Sequence, residues 1–197
     1  MHGGAATVAA VSGHLRPTTV TLDAGDVVAD VDPRLFGGLM EHMGRCVYEG
    51  VYDPTSAHAD EHGCRTDVLD ALRELDMTAI RYPGGNFVSG YDWRDGVGPQ
   101  AERPERPERA WRSIETNQFG TDEFLPLCER TGWTPMMAVN LGTGTAADAQ
   151  SLVAYVNEPT GTTEGDRRSR NGRDEPYGVD LWCLGNEMDG PWQLGHT

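Results

Sequence analysis

The chain of 197 residues is long enough for one domain with its own core, and its 38% hydrophobic and 8% aromatic content is that of a folded globular protein. Acidic residues (31) outnumber Lys and Arg (16), which gives a formal net charge of −15, and all 16 basic residues are Arg. Such an acidic surface repels phosphate backbones and anionic membranes, so we expect neither nucleic acid nor membrane as a partner. The acid excess fits simple solubility or a salt-rich cytoplasm, and neutral carbohydrate substrates are compatible with both.

The cysteines and the N-terminus indicate a reducing compartment. No C-x-x-C pair and no zinc-finger histidine spacing occurs, so we expect no metal site, and buried free thiols at Cys46, Cys64, Cys128 and Cys183. The first 13 residues lack the basic start and long apolar run of a signal peptide. No segment approaches the roughly 18 apolar residues of a membrane span. The sequence therefore favours a cytoplasmic location.

Before residue 35, the sequence predicts a leader followed by a short β segment. Residues 1–17 are rich in Gly and Ala and indicate a weakly ordered leader. Residues 18–31 alternate apolar and polar side chains on both sides of an Ala-Gly-Asp turn, which is the pattern of two short β-strands. The apolar segment 35–40 predicts a buried strand that ends at Glu41 and His42.

The rest of the chain alternates amphipathic helices with short apolar strands. In chain order the pattern predicts helix 68–75, strand 78–82, helix 121–132, strand 135–140, helix 145–156 and strand 180–184. Polar loops are predicted at 89–112, where the Arg-Pro-Glu repeat of residues 103–109 is expected to be solvated, and at 159–176. The order βαβαβαβ predicts an α/β fold with a parallel sheet and helices outside it.

Polar residues stand at the carboxyl end of each predicted strand, where the active sites of parallel α/β proteins lie. They are Glu41 and His42, Arg81 and Asn86, Asn140, and Asn186 and Glu187. Four polar strand ends on one face predict the rim of an active site.

Asn186 and Glu187 have the chemistry of a glycosidase acid/base and its neighbour. A glycosidase needs one carboxylic acid that protonates the leaving oxygen and a second carboxylate opposite it. A Glu at a strand end, partly shielded from water, can hold a proton near neutrality, and the adjacent Asn can donate to the sugar hydroxyl beside the anomeric carbon. The alternative is that this dipeptide only begins a helix.

Residues 81–86, Arg-Tyr-Pro-Gly-Gly-Asn, form the second candidate group. Two glycines let the backbone approach a ligand, and Asn86 can hold sugar hydroxyls with both a donor and an acceptor. Arg81, near the end of a buried strand, is expected to pair with a carboxylate and to support the site. Glu41 is either a sugar-hydroxyl acceptor or the second catalytic carboxylate, whereas His42 has no evident partner and is expected to be structural.

Taken together, these segments resemble the family 51 glycoside hydrolases. The similar motifs are residues 32–37 (Asp-Pro-Arg-Leu-Phe-Gly), 41–45 (Glu-His-Met-Gly-Arg), 81–90 (Arg-Tyr-Pro-Gly-Gly-Asn-Phe-Val-Ser-Gly), 111–117 (Trp-Arg-Ser-Ile-Glu-Thr-Asn), 138–143 (Ala-Val-Asn-Leu-Gly-Thr) and 181–192 (Leu-Trp-Cys-Leu-Gly-Asn-Glu-Met-Asp-Gly-Pro-Trp). The similarity covers residues 18–197, and several long motifs in the family's order make it specific.

The resemblance implies a retaining exo-α-L-arabinofuranosidase, which releases terminal arabinofuranose from arabinan, arabinoxylan and their oligosaccharides. By analogy the roles fall to Glu187 as acid/base, to Asn186, Glu41 and Asn86 as contacts to the sugar, to Trp111 at the pocket mouth and to Arg81 as support. Members of the family are mostly intracellular homo-oligomers and require no cofactor.

The implied fold is a (β/α)8 TIM barrel, of which residues 32–197 would form the N-terminal half, about four βα units. Residues 18–31 would supply short β-strands to a β-sandwich domain that is otherwise missing. The family's nucleophilic Glu lies on a later strand, whereas a retaining site needs two carboxyls about 5–5.5 Å apart. Four strands of eight also leave two apolar sheet edges unpaired. We therefore expect a truncated fragment that lacks the nucleophile and is inactive alone.

Three alternatives are compatible with the sequence alone. Another retaining barrel glycosidase, of the β-xylosidase or endoglucanase type, would share Asn186 and Glu187 but is disfavoured by residues 81–86. A non-catalytic sugar-binding remnant would be stabilised by arabinose without turnover. A decayed fragment would neither fold nor bind.

Overall fold

The computed structural model describes residues 18–195 and divides the chain after Val31 into two compact units. In the first unit, the Asp26 N–H donates to the Asp23 carbonyl oxygen at 3.0 Å, which forms the predicted turn. The two strands predicted around it are wrong, because residues 18–31 contain no strand. A lone pair of short strands is at best marginally stable in water. The leader predicted at residues 1–17 lies outside the described residues.

The second unit is built on one parallel sheet of four strands. The strands of the described chain are β1 (Gly38–Leu39), β2 (Ala79–Tyr82), β3 (Arg106–Pro107), β4 (Ile114–Glu115), β5 (Thr134–Val139) and β6 (Leu181–Leu184). The order across the parallel sheet is β1-β2-β5-β6, and β3 and β4 pair antiparallel in a separate hairpin. The predicted α/β fold with a parallel sheet is confirmed.

Four α-helices accompany the strands within residues 18–195. They are α1 (Thr66–Glu74), α2 (Thr121–Thr131), α3 (Ala146–Asn157) and α4 (Thr163–Arg170). Helix α2 stops at Gly132, whose φ of 76° is the left-handed conformation that favours glycine. Helix α3 starts where Thr145 and Asp148 cap each other's backbone N–H groups. The first three helices are therefore close to their predicted bounds.

Helix α4 lies inside residues 159–176, and the prediction of a loop there is wrong. The Thr162 hydroxyl accepts the Gly165 N–H at 3.2 Å, and acidic residues in the first turn with Arg in the last turn suit the helix dipole. Arg168 is fully buried and donates to the Tyr155 carbonyl oxygen, in the last turn of α3, at 2.6 Å. Capping and charge thus form a helix that has almost no apolar stripe.

The predicted buried strand at residues 35–40 is only partly correct. Pro33–Phe36 forms a short 3-10 helix, in which Leu35 and Phe36 are 76% and 56% exposed. Strand β1 is reduced to two residues, and of the segment only Met40 is buried. Proline at the start of the 3-10 helix fixes φ and turns the chain before the strand begins.

The loop at residues 89–112 contains more structure than predicted. Its elements include 3-10 helices at Trp93–Gly96 and Gln100–Glu102 and strand β3. Arg103 is buried and donates to both carboxylate oxygens of Glu123, at 2.7 and 2.8 Å. The expectation that the Arg-Pro-Glu repeat is solvated is therefore wrong at Arg103 and at Glu108, which is also buried. The buried pair joins the loop to the first turn of α2.

An aromatic core connects the strand ends to α2. Tyr82, the last residue of β2, is fully buried and stacks on Phe124 with ring centroids 4.5 Å apart. Its hydroxyl lies 2.9 Å from Nε2 of His42, which follows β1. The ends of β1 and β2 are thereby held by the same packing.

The structure bears on two predictions from composition, namely the absence of a membrane span and the state of the cysteines. Within residues 18–195, no helix combines the length and the apolar character needed to cross a membrane. The cysteines are free thiols, as predicted, but only Cys64 and Cys128 are buried. Cys46 and Cys183 are half-buried, in the second case because β6 is an outer strand of the sheet.

We expect Arg103→Ala to lower the free energy of unfolding by about 3 kcal/mol, because it leaves the carboxylate of Glu123 without its partner in a largely buried position. Arg109→Ala, at the exposed end of the same repeat, is the control and should change this free energy by less than about 0.5 kcal/mol. Urea denaturation followed by circular dichroism measures both. Equal effects of the two substitutions would contradict the structural role of the Arg103–Glu123 pair.

Candidate active site

The carboxylate of Glu41 is buried at the carboxyl end of β1, and only 6% of the residue is exposed. Its Oε1 accepts hydrogen bonds from the backbone N–H of Phe87 and from the indole Nε1–H of Trp111, both at 3.0 Å. Its Oε2 has no donor among the residues that the structure describes. One oxygen therefore holds the side chain in place, and the other is available to accept a hydroxyl. Trp111 is 41% exposed, so its ring borders solvent beside this carboxylate.

Two glycines bring the loop after β2 against Glu41. Gly84 has a φ of 123°, and a Cβ at this position would lie 2.2 Å from the Cβ of Glu41. A Cβ on Gly85 would lie 3.1 Å from Oε2 of the same residue. A side chain at position 84 would therefore displace the loop or the carboxylate. The sequence predicts that the backbone at these glycines lies close to another group, and in the structure that group is Glu41.

Three side-chain amides join the ends of β2 and β6. Asn186 donates through Nδ2 to Oδ1 of Asn86 at 3.0 Å. Gln193 donates through Nε2 to the same Oδ1 at 3.0 Å and to the carbonyl oxygen of Asn186 at 2.7 Å. Because the donors and acceptors are uncharged, the cluster can exchange hydrogen bonds with sugar hydroxyls in both directions.

Arg81 supports this amide cluster, but its predicted partner is wrong. Its Nη2 donates to Oδ1 of Asn186 at 2.9 Å, so the partner is an amide oxygen and not a carboxylate. Arg81 is half-buried, and its Nε is enclosed without a hydrogen-bond partner among the described residues. The hydrogen bond fixes the amide of Asn186 so that its Nδ2 faces Asn86.

The structure contradicts both the expected shielding of Glu187 and the alternative that a helix begins at Asn186 and Glu187. The residue is exposed, so the predicted shielding from water is wrong for the chain as described. No helix begins at Asn186 or Glu187 either. Instead, the Gly190 N–H donates to the Glu187 carbonyl oxygen at 2.8 Å in a tight turn. The Glu187 carboxylate accepts the indole N–H of Trp192 at 3.0 Å, which holds it beside an exposed aromatic ring.

His42 is buried among aromatic rings and has a partner that the sequence does not reveal. Its ring stacks on Phe87 with centroids 4.5 Å apart. Its Nδ1 lies 2.8 Å from Oε2 of Glu115, which is within ion-pair range. The sequence shows no partner for His42, whereas the structure places Glu115 and Tyr82 beside it, and its burial fits the expected structural role.

Glu115 of β4 is the anionic centre of this cluster and is 4% exposed. Its Oε1 accepts hydrogen bonds from the Tyr48 hydroxyl and, at 2.7 Å, from the Asn117 N–H. Burial raises the pKa of the Glu115 carboxyl, but the contacts with His42, Tyr48 and Asn117 outweigh burial and bring the pKa below its ordinary value. Glu115 is therefore ionised at neutral pH.

The structure brings together most, but not all, of the predicted rim. Asn140 shares no hydrogen bond with the other rim residues: its Oδ1 accepts the N–H groups of Gly142 and Thr143, and its Nδ2 donates to the Tyr91 carbonyl oxygen. Its side chain shapes the loop after β5. Two residues of the site were not predicted from the sequence. Gln193 directly follows the last family-like motif and shows no periodic signal, whereas Glu115 lies inside the 111–117 motif, which marked the segment without indicating a role.

The fold and the site together define a class of protein. A parallel α/β sheet presents at its carboxyl ends two carboxylates, a set of neutral amides and a half-exposed indole, which suits an uncharged polyhydroxyl ligand. Among residues 18–195, no group of three or more His, Cys, Asp and Glu side chains could hold a metal ion. These features are those of an α/β protein whose sheet carries a site for a polar, uncharged ligand at its carboxyl edge.

Comparisons with known proteins identify the family. The alpha-L-arabinofuranosidase 1 domain matches residues 71–191. An intracellular exo-alpha-(1->5)-L-arabinofuranosidase of Streptomyces lividans is 54% identical over 184 residues, which is 92% of this chain and 28% of the relative. An exo-alpha-(1->6)-L-arabinofuranosidase of Bifidobacterium longum is 54% identical over 185 residues, 93% of this chain and 35% of the relative.

Solved structures agree. A family 51 alpha-L-arabinofuranosidase from Bifidobacterium longum superposes with a TM-score of 0.85 at 52% identity and covers 86% of this chain and 34% of that one. The arabinose complex of an alpha-L-arabinofuranosidase from Thermotoga maritima superposes with a TM-score of 0.80 at 46% identity. The match covers 82% of this chain and 33% of that one. The chain belongs to the alpha-L-arabinofuranosidases of glycoside hydrolase family 51, and the predicted family is confirmed. It spans 28% and 35% of the length of the two relatives named above.

We expect Gly84→Ala to destabilise the protein more than Gly172→Ala, by about 2 kcal/mol. Both glycines have positive φ, 123° and 102°, so both substitutions carry backbone strain. Only at Gly84 does the new Cβ meet another residue, because nothing lies within 4 Å of a Cβ at Gly172. The difference between the two unfolding free energies, measured in urea, isolates the contact with Glu41. Equal losses would show that the loop after β2 is not held close to this carboxylate.

Proposed function

We propose that this chain carries the acid/base and sugar-binding part of a retaining exo-α-L-arabinofuranosidase. The observation that carries the proposal is the grouping of Glu41, Asn86, Asn186 and Glu187 at the carboxyl ends of β1, β2 and β6. The relatives named above are exo-arabinofuranosidases, and this supports the same reaction here. None of them is a β-xylosidase or an endoglucanase, so the alternative glycosidases have no support.

In the proposed reaction, Glu187 is the acid/base. In the first step it gives its proton to the glycosidic oxygen while a second carboxylate attacks the anomeric carbon, which breaks the glycosidic bond and forms a glycosyl ester. In the second step it takes a proton from the water that attacks the same carbon, and the ester carboxylate leaves. The configuration at the anomeric carbon is retained after two inversions.

The remaining residues have proposed roles in holding the arabinose ring. The free Oε2 of Glu41 accepts one hydroxyl, and the amides of Asn86 and Asn186 contact others. Asn186 is the neighbour of the acid/base, so its contact falls at the hydroxyl next to the anomeric carbon, where it strengthens as positive charge develops. Trp111 lines the pocket mouth, and Arg81 fixes the Asn186 amide.

We propose that the parallel sheet corresponds to the first half of a (β/α)8 barrel, with residues 32–197 as part of the catalytic domain. Leu39 in β1 and Leu184 in β6 are 49% and 76% exposed, as outer strands would be where further strands pair with them. The nucleophile, in this proposal, lies on a strand outside this chain, and the 197 residues have no activity alone.

The proposed substrates are arabinose-containing oligosaccharides of the arabinan and arabinoxylan type. The Streptomyces lividans relative is named intracellular, which supports a cytoplasmic location here. The net charge of −15 argues against nucleic acid and anionic membranes as partners. The intact enzyme is proposed to form a homo-oligomer and to need no cofactor.

Hydrolysis of 4-nitrophenyl α-L-arabinofuranoside by the purified chain tests the division of the site. We expect no turnover above that of Glu187→Ala, because acid catalysis without a nucleophile does not complete a double displacement. Turnover that disappears in Glu187→Ala would overturn the placement of the nucleophile outside the chain. It would point to Glu41, or to a carboxylate of a second copy, as the nucleophile.

Sugar binding tests the rest of the proposal without requiring turnover. We expect L-arabinose at saturating concentration to raise the Tm of the chain and of Glu187→Ala, since a ligand that binds only the folded state stabilises it. Asn86→Ala should abolish the shift, and D-glucose should give none. A folded chain that responds to neither sugar, or equally to both, would count against the proposed site.

A further inference from the structure

Trp111 lies in the loop of the β3–β4 hairpin, and hydrogen bonds within the hairpin fix the conformation of this loop. It joins β3 to β4, and the Glu108 N–H closes it by donating to the Ser113 carbonyl oxygen at 2.8 Å. Inside the loop, the buried Glu108 carboxylate accepts the N–H groups of Ala110 and Trp111, each at 2.6 Å. The position of Trp111 therefore follows from the position of the hairpin.

The base of this hairpin is anchored by Glu115. Its carboxylate contacts the His42 ring and the Tyr48 hydroxyl, both far away along the chain. His42 directly follows Glu41. The hairpin and the Glu41 backbone are thus tied to one buried ionised group.

The same cluster also holds the second donor to Glu41. The His42 ring stacks on Phe87 at 4.5 Å, and the backbone N–H of Phe87 is the group that bonds Oε1 of Glu41. The other donor to Oε1 is the indole of Trp111. Both hydrogen bonds that orient the carboxylate therefore depend on contacts of Glu115 and His42.

We propose that Glu115 is a positioning residue for Glu41. Its contacts with His42 and Tyr48 hold the β3–β4 hairpin in place, and we call these contacts the clamp. The clamp places the Trp111 indole on Oε1 of Glu41 and leaves Oε2 of Glu41 facing the sugar. The role for the sugar rests on the proposed function, but the clamp itself concerns only the hydrogen bond between Trp111 and Glu41. A purely structural Glu115 would stabilise the whole fold without a particular effect at Trp111.

Hydrogen exchange of the indole N–H groups, followed by NMR on the ¹⁵N-labelled full chain, separates the two roles. Trp111→Phe assigns the Trp111 signal. Trp93, whose Nε1 donates to the Asp148 carbonyl oxygen at 3.2 Å, is the internal reference. We expect Glu115→Gln to speed exchange at Trp111 by about tenfold and to leave Trp93 unchanged, because the loop then opens without global unfolding. Glu105→Gln, an exposed carboxylate in the same polar loop, should change neither.

Unchanged exchange at Trp111 in a folded Glu115→Gln chain would overturn the proposal. If Glu115→Gln also exposes Trp93, Tyr48→Phe replaces it, since it removes one hydrogen bond from the carboxylate and keeps the charge. Faster exchange at Trp111 alone then supports the clamp, and no change at Trp111 rejects it.

L-arabinose titration of the same samples distinguishes this proposal from the proposed function. Weaker arabinose binding that accompanies faster Trp111 exchange, well below the Tm, supports both. If the unsubstituted chain binds no arabinose, the proposed function is contradicted. The exchange rate of the Trp111 indole N–H then still tests the clamp. A variant whose Trp111 indole N–H exchanges freely could still bind arabinose as tightly as the unsubstituted chain. That result would contradict the proposal that the clamp orients Glu41 for the sugar.

Discussion

The burial of the Glu41 carboxylate is the constraint on which the rest of the site depends. A buried charge without hydrogen bonds is very unfavourable, so the protein must bring donors to it. Gly84 permits the loop after β2 to approach closely enough for the Phe87 N–H to reach Oε1, and the β3–β4 hairpin brings the Trp111 indole. Both loops are therefore folded against one carboxylate, and the space beside its second oxygen is what remains for a ligand.

The amide cluster applies the same principle without a buried charge. Asn86, Asn186 and Gln193 hydrogen-bond one another, and Arg81, which is half-buried, orients the Asn186 amide. Amides that donate and accept at similar cost can exchange these bonds for sugar hydroxyls with little penalty. A site of this kind is matched to a neutral ligand, in agreement with the overall negative charge of the chain.

The sequence predicted those features that local patterns control. Apolar runs predicted β2, β5 and β6 closely and β1 only in part, and Thr145 and Gly132 mark helix ends through their own backbone preferences. Helix α4 was not predicted because charge and capping form it with almost no apolar stripe. The partner of His42 was not predicted because Glu115 is brought to it by a hairpin, and no spacing along the chain encodes such a contact. The polar strand ends were found, but their pairing, such as Arg81 with an amide, depends on side-chain geometry.

The exposure of Glu187 connects the proposed fold to the proposed chemistry. A general acid holds its proton better when water is excluded, yet Glu187 stands in solvent three residues after the exposed Leu184 of β6. A strand paired with the free edge of β6 would cover Leu184 and, at its own carboxyl end, reduce the solvent around Glu187. In the proposed barrel, the contact that buries the apolar edge is then also the one that prepares the acid. In this proposal, folding of the remaining barrel and activation of the acid/base would be the same event, whereas Glu41 and Asn86, the proposed sugar contacts, are already held in place without it.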